Sequence, residues 1–142
     1  MNLLETVSAL LAVIFFTSIA LIYNNSAFRQ KQHLWHANAY VQATITAHEV
    51  LDEIDARLFS QDLAFNEIKT QYNTTRTVNL QHNGETFILT VSAVDADSTG
   101  VPLATPLAGN IFTRVSVVVA PNPGLRHAVT MSRVYTKTHL NL

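Results

Sequence analysis

The 142-residue chain has no cysteine. That excludes disulfides, thiolate metal sites, covalent haem attachment and a cysteine nucleophile. Glycine and proline are scarce, and neither occurs before Gly84. Nothing in that long stretch therefore forces a helix to stop. Charge is sparse too, at 13% of residues, against about a quarter in an ordinary soluble domain. Nine basic residues nearly balance ten acidic ones, for a net charge of −1. No basic patch suited to nucleic acid results.

What the chain does have is apolar sequence at its start. Residues 6–23 carry no charge, and only Thr6, Ser8, Thr17 and Ser18 interrupt the run with polar groups. With the residues before it, the run reaches the ~20 residues needed to cross hydrocarbon. Glu5 is the one charge before Arg29. A carboxylate inside an apolar span is expensive, so it marks a functional position. A secretory signal would have a basic start and a shorter apolar core. Arg29 and Lys31 instead follow the run, which by the positive-inside tendency places the rest of the chain in the cytoplasm. A basic leader ahead of Met1 would reverse that orientation.

The helical pattern continues past the apolar run, with Asn24-Asn25-Ser26 as a weak point because such side chains compete for backbone hydrogen bonds. Asn38, Gln42, Thr46, Glu49, Glu53 and Arg57 line up as a polar stripe, and Glu53 with Arg57 makes a favourable i,i+4 pair. Leu34, Ala37, Val41, Ile45, Leu51, Ile54 and Leu58 lie elsewhere, as do Ala39, Ala43, Ala47 and Val50. This apolar arc is wider than the ~100° one partner requires. Two partners are expected: the chain's own sheet, and neighbouring copies approaching over Ala39, Ala43 and Ala47. A helix from about residue 2 to 58 would be roughly 85 Å long at 1.5 Å per residue.

Residues 59–75 are mixed, with Leu63, Phe65 and Ile68 suited to a short helix or packed loop. Strands are predicted at Thr77 to Gln81, Glu85 to Val94, Ile111 to Ala120 and Leu125 to Lys137, the first two joined by the hairpin pair Asn83-Gly84. The second strand alternates Phe87, Leu89, Val91 and Ala93 against Ile88, Thr90, Ser92 and Val94. In the last strand Arg133 interrupts the face of Val129 and Met131. The predicted class is α+β, a long N-terminal helix packed on an antiparallel sheet of about four strands. Residues 1–23 form an apolar stem and 24–58 the amphipathic half of the same helix. Residues 59–142 supply the connection and sheet that complete one globular domain with 24–58.

Met1-Asn2-Leu3-Leu4-Glu5 followed by a long apolar helix resembles the N-terminus of mature type IV pilins and type II secretion pseudopilins. The order of helix, connection and sheet is similar to the pilin fold along essentially the whole chain. The resemblance implies a chain from which a prepilin peptidase has removed a short basic leader, with Met1 N-methylated. It implies that Glu5 pairs with the α-amine of a neighbouring Met1. Leu3, Leu4, Val7, Leu10, Leu11, Ile14, Phe15, Ile19 and Ile22 would pack in a filament core. The implied partners are further copies in a helical homopolymer, the bacterial inner membrane before assembly, and the assembly machinery. The expected role is a major subunit of an extracellular filament for adhesion, motility or surface attachment. The alternatives are a pseudopilin in a periplasmic fibre and a membrane-anchored binding domain that does not polymerise. Many pilins have a glycine or proline in the apolar helix and a C-terminal disulfide loop; this chain has neither.

Other constellations have plainer readings. Asp95-Ala96-Asp97-Ser98-Thr99-Gly100 resembles the start of a calcium loop, but Pro106 stands where the closing Glu is required, and an Asp/Gly turn is expected. His33 and His36 flank Trp35 and are too few for zinc; His48, His82, His127 and His139 have no evident partner. Phe15, Phe16, Tyr23, Phe28, Trp35 and Tyr40 are read as packing groups rather than an electron path. Asn24-Asn25-Ser26 and Asn73-Thr74-Thr75 match glycosylation acceptors, the second on a plausible surface loop. No catalytic triad, phosphate loop or carboxylate pair is present, so neither an enzyme nor a cofactor site is expected.

Overall fold

A computed structural model describes residues 2–79, 86–105, 109–121 and 123–137. The chain divides into two units, residues 1–37 and 38–142. Helix α1 (Leu3–Phe59) supplies most of the first unit and the opening element of the second. After it come a 3-10 turn (Phe65–Glu67), a one-turn helix α2 (Ile68–Gln71), and strands β1 (Thr74–Asn79), β2 (Thr86–Asp95), β3 (Phe112–Val119) and β4 (Val129–Thr136). The strands form one antiparallel sheet in the order β1-β2-β3-β4. A long N-terminal helix packed on a four-stranded antiparallel sheet is the α+β arrangement that the sequence predicts.

In the first unit α1 passes through Thr17-Ser18 and Asn24-Asn25-Ser26 without interruption. The stem's hydroxyls do not compete with the helix. Ser8, Thr17 and Ser18 each donate to the carbonyl four residues back, at 2.7 to 2.8 Å, the bond pattern such side chains adopt inside helices.

In the second unit α1 buries Ala39, Ala43, Thr46, Ala47, Val50, Leu51, Ile54 and Leu58. Their spacing of three and four residues defines one face. The core joins this face to Phe87, Leu89, Val91 and Ala93 of β2, to Val115, Val117 and Val119 of β3, and to Val129 and Tyr135 of β4. Ala43 and Ala47 are thus sheet-facing and Ala39 is buried as well, which corrects their expected role in approaching neighbours. The predicted polar stripe is also narrower than expected. Thr46 is buried, its hydroxyl satisfied by the carbonyl of Gln42. Leu34, Tyr40, Val41 and Ile45 are instead exposed.

Strand boundaries shift for definable reasons. β1 starts at Thr74, three residues before the predicted Thr77, because the Asn73 side chain extends the ladder. Its amide oxygen accepts from Ala93 N–H at 2.6 Å and its amide nitrogen donates to Ala93 carbonyl at 3.4 Å. β4 starts at Val129, four residues after the predicted Leu125, because Val129 pairs with Val119, the last residue of β3. Residues 125–128 therefore lie beyond the end of their partner strand. The predicted Asn83-Gly84 turn, Leu80 and Gln81 lie outside the described residues.

The β2–β3 connection is tied back by an Ala96–Pro102 bridge. Gly100 has φ +83° and is buried, and a β-carbon there would come within 2.9 Å of Val134 Cγ2. Both backbone conformation and space exclude a side chain. Gly100→Ala is expected to destabilise the domain by about 1–2 kcal/mol, the cost of a left-handed L-residue. Chemical denaturation of the detergent-solubilised chain checks this.

Candidate functional site

The predicted assembly residues lie on the first unit's part of α1. Leu3, Leu4, Val7, Leu10, Leu11, Ile14, Phe15, Ile19 and Ile22 are all exposed, from 47% at Ile19 to 84% at Leu3. They do not form one stripe. Apolar groups surround the helix, since Val13, Phe16, Leu21 and Tyr23 are exposed as well. A helix that is apolar all round is one that lies buried in a larger assembly or in lipid. By length and composition α1 is able to cross a membrane, and its most apolar 18-residue window has no residue buried.

Glu5 sits in the first turn of α1. Its Oε2 accepts the backbone N–H of Asn2 at 3.2 Å. Asn2 carbonyl in turn accepts Glu5 N–H at 2.9 Å. This is half of a capping box, in which an acid at the third helical position satisfies an orphan amide at the start. The carboxylate also faces the positive end of the helix dipole. Glu5 therefore has a local task in starting the helix. Met1, its expected intermolecular partner, lies outside the described residues.

The second unit holds two polar clusters where helix meets sheet edge. At the β1 edge, Arg76 Nη1 donates to Glu53 Oε2 at 2.9 Å. Tyr72 hydroxyl donates to Glu53 Oε1 at 3.0 Å, and Arg57 Nη1 donates to that hydroxyl at 3.0 Å. Arg57 Nη2 also reaches Gln71 at 2.9 Å. The predicted Glu53–Arg57 pair is therefore bridged by Tyr72 rather than direct, because each partner has a better-placed group on the connection or β1. At the β4 edge, Arg133 binds Asp52 at 3.1 Å and also Asp55. Tyr135 hydroxyl donates to Leu51 carbonyl at 3.1 Å. Burial pushes the Tyr135 phenol well above its ordinary range. A groove of about 240 Å³ opens beside Phe59 and Val134, and its charged lining, Asp55 and Arg133, is paired to itself.

Arg133 broke the alternation of the last strand because it faces the helix. Asp52 and Asp55, three apart on the helix, were the available signal. Tyr72 gave none, since its partners come from α1 and β1 at once.

The acidic loop is also committed internally. Asp95 accepts Lys69 Nζ at 2.8 Å. Asp97 Oδ1 accepts the Thr99 hydroxyl at 2.6 Å, Thr99 N–H at 2.8 Å and Val101 N–H at 2.9 Å. Those bonds, the Thr99 hydroxyl first, hold the Asp97 carboxyl below its usual range. This is an Asp turn, as expected. Among the described residues no three His, Asp or Glu side chains are grouped to hold a metal; Pro106, His82 and His139 lie outside them. His36 lies against Trp35 with ring centres 5.1 Å apart and the planes tilted by 43°.

Comparison of the chain with protein-family models, curated proteins and solved structures finds no match.

Partial burial opposes ionisation of Glu53, but hydrogen bonds from Arg76 and Tyr72 overcome it and hold its carboxyl below 4.5. A carboxyl with a depressed folded value contributes stability above its unfolded value and loses it as pH falls through the folded one. Urea unfolding at pH 7 and pH 3 is therefore expected to show a smaller pH difference in Glu53→Gln than in the native chain. An equal difference would mean that Glu53 plays no part in the acid response.

Proposed function

We propose that this chain is the structural subunit of a type IV pilus-like extracellular filament, held in the membrane by its stem and then packed among copies of itself. The observation that carries this reading is the exposure of every large apolar side chain from Leu3 to Tyr23. Among the described residues nothing covers that surface, and a bilayer followed by a bundle of identical stems would cover it in turn. Filament formation replaces lipid contacts with protein contacts, so little net apolar burial is needed at the transfer.

In this reading Glu5 provides register. A buried carboxylate costs several kcal/mol unless it is paired. The α-amine of Met1 on an adjacent copy would pair with it, leaving Oε2 on its own Asn2 amide. A copy arriving out of register would bury both charges alone. The pair thus selects a position more than it adds stability. Fibre formation would give the chain its part in adhesion, motility or surface attachment.

The Asn2–Glu5 bond separates two roles that a single substitution would confuse. Glu5→Gln keeps a side chain able to cap Asn2 but loses the charge; Glu5→Val loses both. Both variants are expected in the membrane fraction, and both should yield at least about tenfold less sheared fibre by electron microscopy, the factor that only ~1.4 kcal/mol of lost pairing produces. Normal fibre yield from Glu5→Gln would reduce Glu5 to a helix cap. Normal yield from Glu5→Val would remove the register role altogether.

A further inference from the structure

We infer that Arg29 and Lys31 form a basic collar that holds the end of the stem against an anionic phospholipid surface. This rests on the reading above that the stem is inserted in a membrane. Both side chains are exposed, and neither makes an ion pair among the described residues. Lys69, Arg76 and Arg133 of the second unit, by contrast, each hold a carboxylate. No acidic residue occurs between Glu5 and Glu49. The two cations are therefore unbalanced within their own stretch of helix.

Their spacing fits a bilayer surface. Tyr23 ends the apolar run, and Arg29 and Lys31 follow it by about 9 and 12 Å at 1.5 Å per residue. The polar layer extends roughly 5–8 Å beyond the hydrocarbon on each side. Long basic side chains reach back along a helix to close such a gap. Uncharged Asn24, Asn25, Ser26, Ala27 and Phe28 occupy the interval. Tyr23, 76% exposed, ends the apolar run, and a ring of this kind, apolar with one polar edge, settles at a membrane interface. Trp35, 40% exposed, lies one turn beyond Lys31 on the side away from the run. An acidic protein face would attract the same cations but would not explain their closeness to the end of the apolar run or the Tyr23 ring at that end. Each basic group near an anionic surface contributes about tenfold or less in local affinity, and salt screens it.

Trp35 is the chain's one tryptophan, which makes it a native reporter beside the collar. The full chain is reconstituted into vesicles of phosphatidylcholine, alone or mixed with phosphatidylglycerol. Insertion is scored first, by resistance to alkaline carbonate. Extraction from both mixtures would overturn the membrane reading and the collar with it. In retained protein, acrylamide quenching of Trp35 is expected to fall about two- to threefold in the anionic vesicles, with the difference lost at molar salt. It should also vanish in the Arg29→Gln, Lys31→Gln double variant. With insertion intact, equal quenching in both lipids, or an undiminished difference in the double variant, overturns the collar alone. Protection that grows with protein density in neutral vesicles would overturn the lipid assignment in favour of an acidic protein face.

Discussion

An uncovered apolar helix in water is the constraint on which the rest depends. Thirteen large hydrophobic side chains between Leu3 and Tyr23 are each roughly half or more exposed. Covering such a set is worth on the order of 20 kcal/mol. A whole domain is stable by only about 5–15 kcal/mol. No arrangement that leaves this surface wet can persist at useful concentrations. The helix itself gives no way out, because its hydroxyls and peptide groups are satisfied internally and nothing in the run breaks it. Lipid and other apolar protein are both able to cover it, and the proposed sequence of membrane and filament uses both.

Within the second unit the same helix meets its sheet through small and branched side chains. Ala43, Ala47, Val50, Leu51 and Ile54 pack with Phe87, Leu89 and Val91 of β2 and the valines of β3. The charges sit at the two margins: Glu53 with Arg76 on β1, and Asp52 and Asp55 with Arg133 on β4. Half-exposed ion pairs of this kind contribute about 0–1 kcal/mol each, whereas each buried Val, Leu, Ile or Phe side chain contributes about 1.5–3. Apolar burial therefore holds helix to sheet. The margins fix where along the sheet the helix lies, since sliding it would part both clusters at once.

Most of this architecture was legible because its determinants are local. The lack of glycine and proline before Gly84 announced a long helix, and period-two alternation from Phe87 to Ala93 and from Val115 to Val119 announced the sheet. What escaped depends on partners distant in sequence. Ala39, Ala43 and Ala47 looked available to neighbours because alanine suits any close approach; only the position of the sheet decides which face they serve. Tyr72 bridging Glu53 and Arg57 is visible only once α2 and β1 are placed. The early start of β1 comes from an Asn73 amide standing in for backbone. At the stem, the type and extent of apolar surface were plain from residue types. The tie between Glu5 and Asn2 was not, although the spacing of a capping box was there to see.

The central claim is that identical stems cover one another. Helical reconstruction by electron cryomicroscopy of fibres sheared from cells bearing this chain tests it most directly. Residues 3–23 of many copies are expected to converge on the fibre axis, with each Glu5 carboxylate against a neighbour's N-terminus. Fibres whose axis excludes these stems, or cells in which the chain stays dispersed in the membrane and forms no fibre, would contradict it.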